Sequence, residues 1–450
     1  MLKTFINAWK IADLRKKLIF TALIVFIFRL GSAIPVPFTD ITGELVAQNQ
    51  DSFLNYLGMM NGSAFTYGTI FAMSITPYIN SSIIMQLLAV AIPALERLQK
   101  EGEEGRKKIA SITRFVTVAL GVLQSTAYYF YLKSQNMLVT AADGSAFTGF
   151  AAVFQAIVII AVFTAGTALV MWLGERINDK GIGNGVSIIL FAGIVSRIPT
   201  LITSLYGPKN GYIAKGGAYV PLAIIVGIIL LAMIAFIVWM DNAERRVPVQ
   251  YAKRVVGRKM YGGQSTHIPI KVNMSGVMPV IFASSILSLP PTIQMFISNK
   301  LTAESGWTKF FNLFSSDNWA YAIIYFVFII AFAYFYAGIQ YNPIEMSKNI
   351  RDNGGSIPGI RPGEPTARYI GKIINRITLL GALLLSVVAL FPIIFSQVAT
   401  AILKASGFAD GHMNVSLGGT SIIILVGVAL ETVKQLESQM MMRHYRGFLD

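Results

Sequence analysis

The sequence predicts an all-α integral membrane protein of ten spans, divisible into two halves of five. Three observations carry this: the composition, the spacing of charge-free stretches, and the positions of Lys and Arg. Apolar residues make up 54% of the 450 and charged residues 13%, against about 25% charged in ordinary globular domains. A soluble core cannot bury that much apolar surface, whereas lipid tails solvate it. A helix rises about 1.5 Å per residue, so about 20 apolar residues cross the roughly 30 Å hydrocarbon core.

Stretches free of Asp, Glu, Lys and Arg at 115–132, 144–174, 216–240, 272–299, 318–344, 377–403 and 411–430 each fit one crossing. Segment 18–33 fits if Arg29 snorkels to the interface, and 181–199 fits with Arg197 near its end. Residues 52–95 carry no charge over 44 positions, too long for one helix and short for two with a turn. Gly58, Gly62 and Gly68 interrupt the first half, so it reads as a short apolar piece near 53–65 followed by a span at about 70–92.

Orientation follows from the basic residues, which concentrate on the cytoplasmic side. With the N-terminus inside, the cytoplasmic segments hold five, six, two, seven, six and three of them, 29 of the 37. Both termini are then cytoplasmic. Lys16 and Lys17 before the first apolar run, and Gly31-Ser32-Ala33 after it, also fit a cleaved signal peptide. Arg29 falls where such an apolar core should continue, and keeping the segment gives ten spans. Five is odd, so two homologous halves lie in opposite orientations, an inverted repeat. The expected division is an N-terminal half at 1–205, a C-terminal half at 218–434 and a cytoplasmic tail at 435–450. The hinge falls in the outer loop near 206–217, and the large cytoplasmic loops at about 241–271 and 345–372.

Catalytic chemistry is nearly absent. The chain has no Cys, which excludes disulfides and thiolate metal sites, and only three His, at 267, 412 and 444. No His-Glu-x-x-His, Walker loop or Gly-x-Ser-x-Gly elbow occurs. No cofactor or metal is expected, and the chain does not read as an enzyme. Residues 181–185 (GIGNG) faintly resemble a nucleotide loop, but no strand precedes them; they read as a turn into a helix with Asn184 near its cap. An ion-coupled transporter places ionisable groups at mid-membrane, and here they avoid the spans. What is left is a structural protein or a passive conduit. The broken apolar piece suggests a re-entrant segment shielded by protein or lining a cavity. The basic loops and the net charge of +15 suggest contact with lipid headgroups, nucleic acid or an acidic protein.

Seven stretches in order carry a resemblance: 70–88 (IFAMSITPYINSSIIMQLL), 100–110 (KEGEEGRKKIA), 181–195 (GIGNGVSIILFAGIV), 251–254 (YAKR), 264–286 (QSTHIPIKVNMSGVMPVIFASSI), 357–366 (IPGIRPGEPT) and 418–431 (GGTSIIILVGVALE). With these the chain resembles the SecY/Sec61-alpha family, the pore-forming subunits of the Sec protein translocon, over nearly its whole length. The resemblance implies two five-helix halves around a central pore in the bacterial plasma membrane. It implies a protein-conducting channel that translocates unfolded secretory polypeptides and releases transmembrane helices laterally. SecE and SecG subunits, the SecA ATPase, the ribosome, signal sequences, unfolded substrates and anionic lipids are the partners it implies.

Residue by residue, the resemblance puts the pore ring at Ile75 and Ile79 of span 2, Val186 and Leu190 of span 5, Ile281 of span 7 and Ile424 of span 10. Val186 and Leu190 depart from the isoleucine usual in the family but stay aliphatic. Each of the two pairs is spaced i, i+4 and so shares a helix face. An aliphatic ring holds no particular substrate by hydrogen bonds and impedes ions, because a narrow apolar constriction dewets. The plug corresponds to Phe53, Leu54, Leu57, Gly58, Met59, Met60 and Gly62, a stretch that composition alone reads equally as an outer loop. Spans 2 and 7 correspond to the lateral gate. There Asn80, Ser81 and Ser82, with Gln124 on span 3 and Ser284 and Ser285 on span 7, either weaken the seam or, for each Ser, back-bond to its own helix. Arg254, Arg258 and Arg361 are candidates for docking SecA or the ribosome. Arg361 leads, because a guanidinium fork suits phosphate or carboxylate and Gly359, Pro362 and Gly363 hold it on a turn. Arg258 reads equally as a positive-inside anchor.

Overall fold

The computed structural model describes residues 2–41, 63–135, 137–140, 147, 149–207, 211–217, 219–251, 254–256, 259–261, 265–297, 306–314, 318–406 and 418–446. In chain order the helices are α1 (Leu2–Lys10), α2 (Ala12–Gly31), α3 (Ser63–Thr66), α4 (Thr76–Ala91), α5 (Pro93–Lys100), α6 (Glu103–Ser134), α7 (Phe150–Lys180), α8 (Gly185–Val195) and α9 (Ile198–Tyr206). They continue with α10 (Tyr219–Asn242), α11 (Met278–Leu287), α12 (Leu289–Ile297), α13 (Gly306–Asn312), α14 (Trp319–Gln340), α15 (Pro343–Asp352), α16 (Glu364–Ala405) and α17 (Gly419–Arg446).

The ten expected spans map onto these helices. Among the described residues, seven are helical runs long and apolar enough to cross a bilayer, with α8 and α9 counted as one run and α14 and α15 as another. An eighth is the pair α4 and α5, bent by 102° where the basic loop begins. The first span is α2, whose opening turns carry Arg15, Lys16 and Lys17. The seventh is broken at Ser288 into α11 and α12, with Pro290 and Pro291 just past the break. Proline lacks an N–H donor and fits a helix's first turn, so the chain restarts there rather than continuing.

Span 2 begins differently from the expectation of one helix over 70–92. Its helix starts at Thr76, and the residues before it turn irregularly, with Gly68 at φ +55° and Ser74 at φ +49°. The backbone there is satisfied by neighbours: Val36 N donates to the Gly68 carbonyl at 3.1 Å, and Ile70 N to the Ile34 carbonyl at 3.0 Å. Phe71, Ala72, Met73 and Ser74 are buried, which is the condition under which a membrane admits non-helical backbone. The Ile70 carbonyl runs so close to Gly166 of α7 that a Cβ there would overlap it. Gly166→Val is therefore expected to cost about 1–3 kcal/mol through forced overpacking, seen as a lower Tm of the detergent-solubilised chain. Gly193→Ala, where nothing stands within 4 Å, is the control. Equal melting of the two variants would contradict the close packing.

The two large loops near 241–271 and 345–372 also depart from an all-α reading. The 241–271 loop holds an antiparallel pair, β1 (Glu244–Tyr251) and β4 (Ser265–Lys271), in register from Glu244↔Lys271 to Gln250↔Ser265. A second pair, β2 (Arg254–Val256) and β3 (Lys259–Tyr261), lies between them in sequence, and β5 (Gly355–Ser356) joins β1 from the next loop. Val247 and Val249 face inward while Arg246, Pro248 and Gln250 face out, the period-two pattern of a half-buried strand. The buried face packs on Ile350, Ile357, Ile370 and Ile374. The connection between α9 and α10 is also packed: Tyr212 and Tyr219 stack at 5.7 Å, and Lys215 Nζ lies 5.2 and 5.3 Å from their centroids. One apolar cluster runs through both halves, from Ile24 in α2 to Leu430 in α17.

Candidate channel and its rim

A cavity of about 680 Å³ lies among α4, α8, α11 and α17, and reaches β4 and the start of the tail. The end toward the basic loops carries charge: Asp241, Lys271, Glu431 and Lys434 line it, with Lys434 Nζ 3.2 Å from Asp241 Oδ2. The lining contributed by α4, α8 and α11 includes five aliphatic residues, Ile79, Ile83, Val186, Leu190 and Ile281, interleaved with Tyr78, Ser82, Gln86, Ser187 and Phe282.

Local structure explains how these side chains are aimed. Asn184 caps α8, its Oδ1 accepting from Val186 N at 3.1 Å and Ser187 N at 3.4 Å, as its place in the GIGNG turn predicts. Gly185 N donates to Asn178 Oδ1 at 2.7 Å, and Gly185 sits so close to the Gly174 carbonyl that a Cβ would overlap it. Val186 and Leu190 are thereby fixed one turn apart at the cavity wall. Ile79 stands in the first turn of α4, its N–H donating to the Ile75 carbonyl at 3.1 Å. Gly427 of α17 lets that helix approach Val277 ahead of α11.

All six ring candidates lie in the one apolar cluster. Ile79, Val186, Leu190 and Ile281 line the cavity. Ile75 and Ile424 do not line it. Ile75 is fully buried, and it and Ile189 flank Gly174, each Cδ1 3.5 Å from where a glycine Cβ would stand. Ile75 thus packs toward α7 and α8, because it stands at the cap of α4 rather than inside the helix. Ile424 is buried within α17.

The gate candidates fall into two groups. Ser81 Oγ donates to the Thr113 carbonyl of α6 at 2.8 Å, Ser284 Oγ to the Ile281 carbonyl at 3.0 Å, and Ser82 Oγ accepts from Gln86 at 3.3 Å. Ser81 thus ties span 2 to span 3, while Ser284 back-bonds within α11. Asn80 Oδ1 and Ser285 Oγ are buried and make no hydrogen bond among the described residues. They stand on α4 and α11, which touch, while α12 packs against α6. Gln124 is half-buried on α6.

Arg361 is exposed on a turn between Gly359 (φ +79°) and Gly363 (φ +102°). Ser347 Oγ donates to the Gly363 carbonyl at 2.7 Å, and Thr366 Oγ1 to the Arg361 carbonyl at 2.9 Å. The turn is therefore anchored while the guanidinium projects. Arg254 opens β2 opposite Tyr261. Arg258 and the plug candidates Phe53, Leu54, Leu57, Gly58, Met59, Met60 and Gly62 lie outside the described residues. Just beyond them, Phe65 packs on Tyr128 with centroids 4.6 Å apart, and Tyr128 Oη donates to the Phe65 carbonyl at 2.6 Å.

Sequence reasoning missed the Asp241–Lys434 pair, 193 residues apart in the chain, and the tyrosines Tyr78, Tyr336 and Tyr341 on the cavity wall. The only local signal was that Asp241 and Lys434 each end an apolar span.

A ten-span frame around a cavity with aliphatic side chains from three helices in its wall and charge at the end toward the basic loops defines a membrane protein of the channel class. The family model for SecY matches residues 69–433. Protein translocase subunit SecY of Streptomyces coelicolor is 44% identical over 464 aligned positions, covering all of both chains. That of Mycobacterium tuberculosis is 41% identical over 466, again covering both completely. Among solved structures, a protein-conducting channel superposes with a TM-score of 0.61 at 18% identity, over 94% of this chain and 92% of that one. A SecY structure concerned with how the plug stabilises the closed state gives 0.63 at 16% identity over the same shares. Canine Sec61 from a ribosome–channel complex gives 0.59 at 16% identity, again over the same shares. The chain belongs to the SecY family. It is a multi-pass membrane protein and a protein-conducting channel for polypeptide translocation, with the two-half, ten-helix architecture of that family.

Proposed function

We propose that Ile79, Val186, Leu190 and Ile281, with Ile75 and Ile424 packed behind them, form the deformable seal of this channel. The carrying observation is that aliphatic side chains from α4, α8 and α11 converge on one cavity inside a single apolar cluster. A translocating chain is extended, polar and varied, and an aliphatic wall holds none of its groups. The same wall resists ions while closed. Residues 53–65 act as the plug beneath the seal, and the α4–α11 seam, where Asn80 Oδ1 and Ser285 Oγ find no partner among the described residues, is where signal sequences and apolar helices leave sideways. Energy comes from a SecA-type ATPase or from the elongating ribosome, engaged through Arg361 with Arg254 and Arg258. SecE and SecG complete the assembly in a bacterial plasma membrane, both termini cytoplasmic. The halves divide at the outer connection near 206–217.

Ile281→Asn and Ile424→Asn test the seal. Burying an amide without partners costs about 1–3 kcal/mol, so the closed state should weaken by roughly five- to 150-fold. Ion conductance of proteoliposomes should rise, and weak signal sequences should be accepted. Unchanged conductance and stringency in both variants would sink the assignment.

A further inference from the structure

We propose that α1 is an interfacial anchor, laying the face formed by Phe5, Ile6 and Trp9 into the headgroup–acyl boundary of an anionic membrane while its other face holds the tail of α17. This rests on the chain spanning a membrane and is independent of the seal assignment.

The helix has three distinct sides. Ala8 is fully buried in a small cluster with Leu14, Ile182 and Leu436, against which Ile11 packs. On that side Thr4 Oγ1 donates to Glu437 Oε1 at 3.1 Å, and just beyond the helix Lys17 Nζ donates to Gln439 Oε1 at 3.4 Å. The second side is apolar and open: Phe5, Ile6 and Trp9 are 40%, 57% and 52% exposed. Their i, i+1, i+4 spacing puts them on one face of a helix. Asn7, also exposed, stands on the opposite side of the helix from Phe5, Ile6 and Trp9, at the edge of the packed side three residues from Thr4.

Two further observations commit the open face to lipid. Only Ile11, in extended conformation, separates α1 from the membrane helix α2, so α1 cannot leave the bilayer surface by more than its own length. Lys10, Arg15 and Lys16 are exposed around this junction, and cations flanking an apolar face with a Trp match an anionic interface. Ile182 in the same cluster leads into the turn that caps α8, and Ile182 N donates to Thr21 Oγ1 at 3.1 Å. An anchored α1 therefore holds α2, the α7–α8 turn and the tail of α17 together, bridging the two halves of the chain at the cytoplasmic surface.

The chain has no Cys, so single-Cys variants Ile6→Cys and Asn7→Cys can each carry one environment-sensitive dye on the full chain in nanodiscs. Discs of phosphatidylcholine alone are compared with discs containing phosphatidylglycerol, at low and high salt. The label at position 6 should shift to the blue in phosphatidylglycerol discs, be quenched by nitroxide-bearing lipid and be protected from aqueous iodide. High salt should reverse part of this, because headgroup attraction is screened. The label at position 7 should remain iodide-accessible throughout. A position-6 label as iodide-accessible as position 7 overturns the proposal. So does one protected from both quenchers, which would mean that protein covers the face. A signal identical in neutral and anionic discs overturns the requirement for anionic lipid.

Discussion

Arg361→Glu is expected to leave the chain folded and inserted while cutting ATPase-driven export by roughly thirtyfold or more. The turn that presents Arg361 is held by Ser347 and Thr366 through backbone carbonyls, so exchanging the exposed side chain leaves those anchors intact. The loss falls on docking, where an arginine hot spot contributes about 2 kcal/mol or more, and each 1.4 kcal/mol is about tenfold in affinity. Glutamate adds repulsion toward any anionic partner. Arg361→Lys should fall between, since it keeps the charge and loses the guanidinium fork. The measurement is protease-protected substrate in proteoliposomes supplied with motor and ATP, alongside motor binding to the same vesicles. Wild-type export by the Glu variant would remove Arg361 from the docking surface.

Locking α4 to α11 is expected to abolish signal-sequence insertion almost completely. The variant Asn80→Cys/Ser285→Cys places the only two thiols of the chain on these touching helices. A short bifunctional thiol reagent should join them. Both native side chains carry a buried polar atom without a partner among the described residues, and such an atom costs about 1–3 kcal/mol. The seam is therefore weaker than an all-apolar one. Bridging it removes the opening without altering the cavity's aliphatic wall. Each single-Cys variant treated with the same reagent should insert signal sequences normally. If the cross-linked species still releases apolar helices to lipid, these helices are not the exit.

Much of this was legible in the sequence because a bilayer is an unforgiving solvent. Every backbone polar group in it must be paired and every charge is costly, so the charge-free stretches marked the spans and the basic residues marked one side. Asn184 was legible for another reason: a cap depends only on its own turn. The β1–β4 pair was not, because Glu244–Tyr251 alternates over a short run and needs Ile350 and Ile370 from a later loop to bury its inner face.

The sequence by itself determined the class and the ten spans, since hydropathy and charge act locally along the chain; the aliphatic ring candidates were named only through the resemblance to the SecY family. Only the tertiary structure decided that Ile79 lines the cavity while Ile75 packs behind it, that span 2 starts irregularly against Gly166, and that Asp241 meets Lys434. Those outcomes depend on which helices approach closely. Close approach is set by pairs of residues far apart in the chain, a glycine here and a carbonyl there, whose partnership no local pattern records.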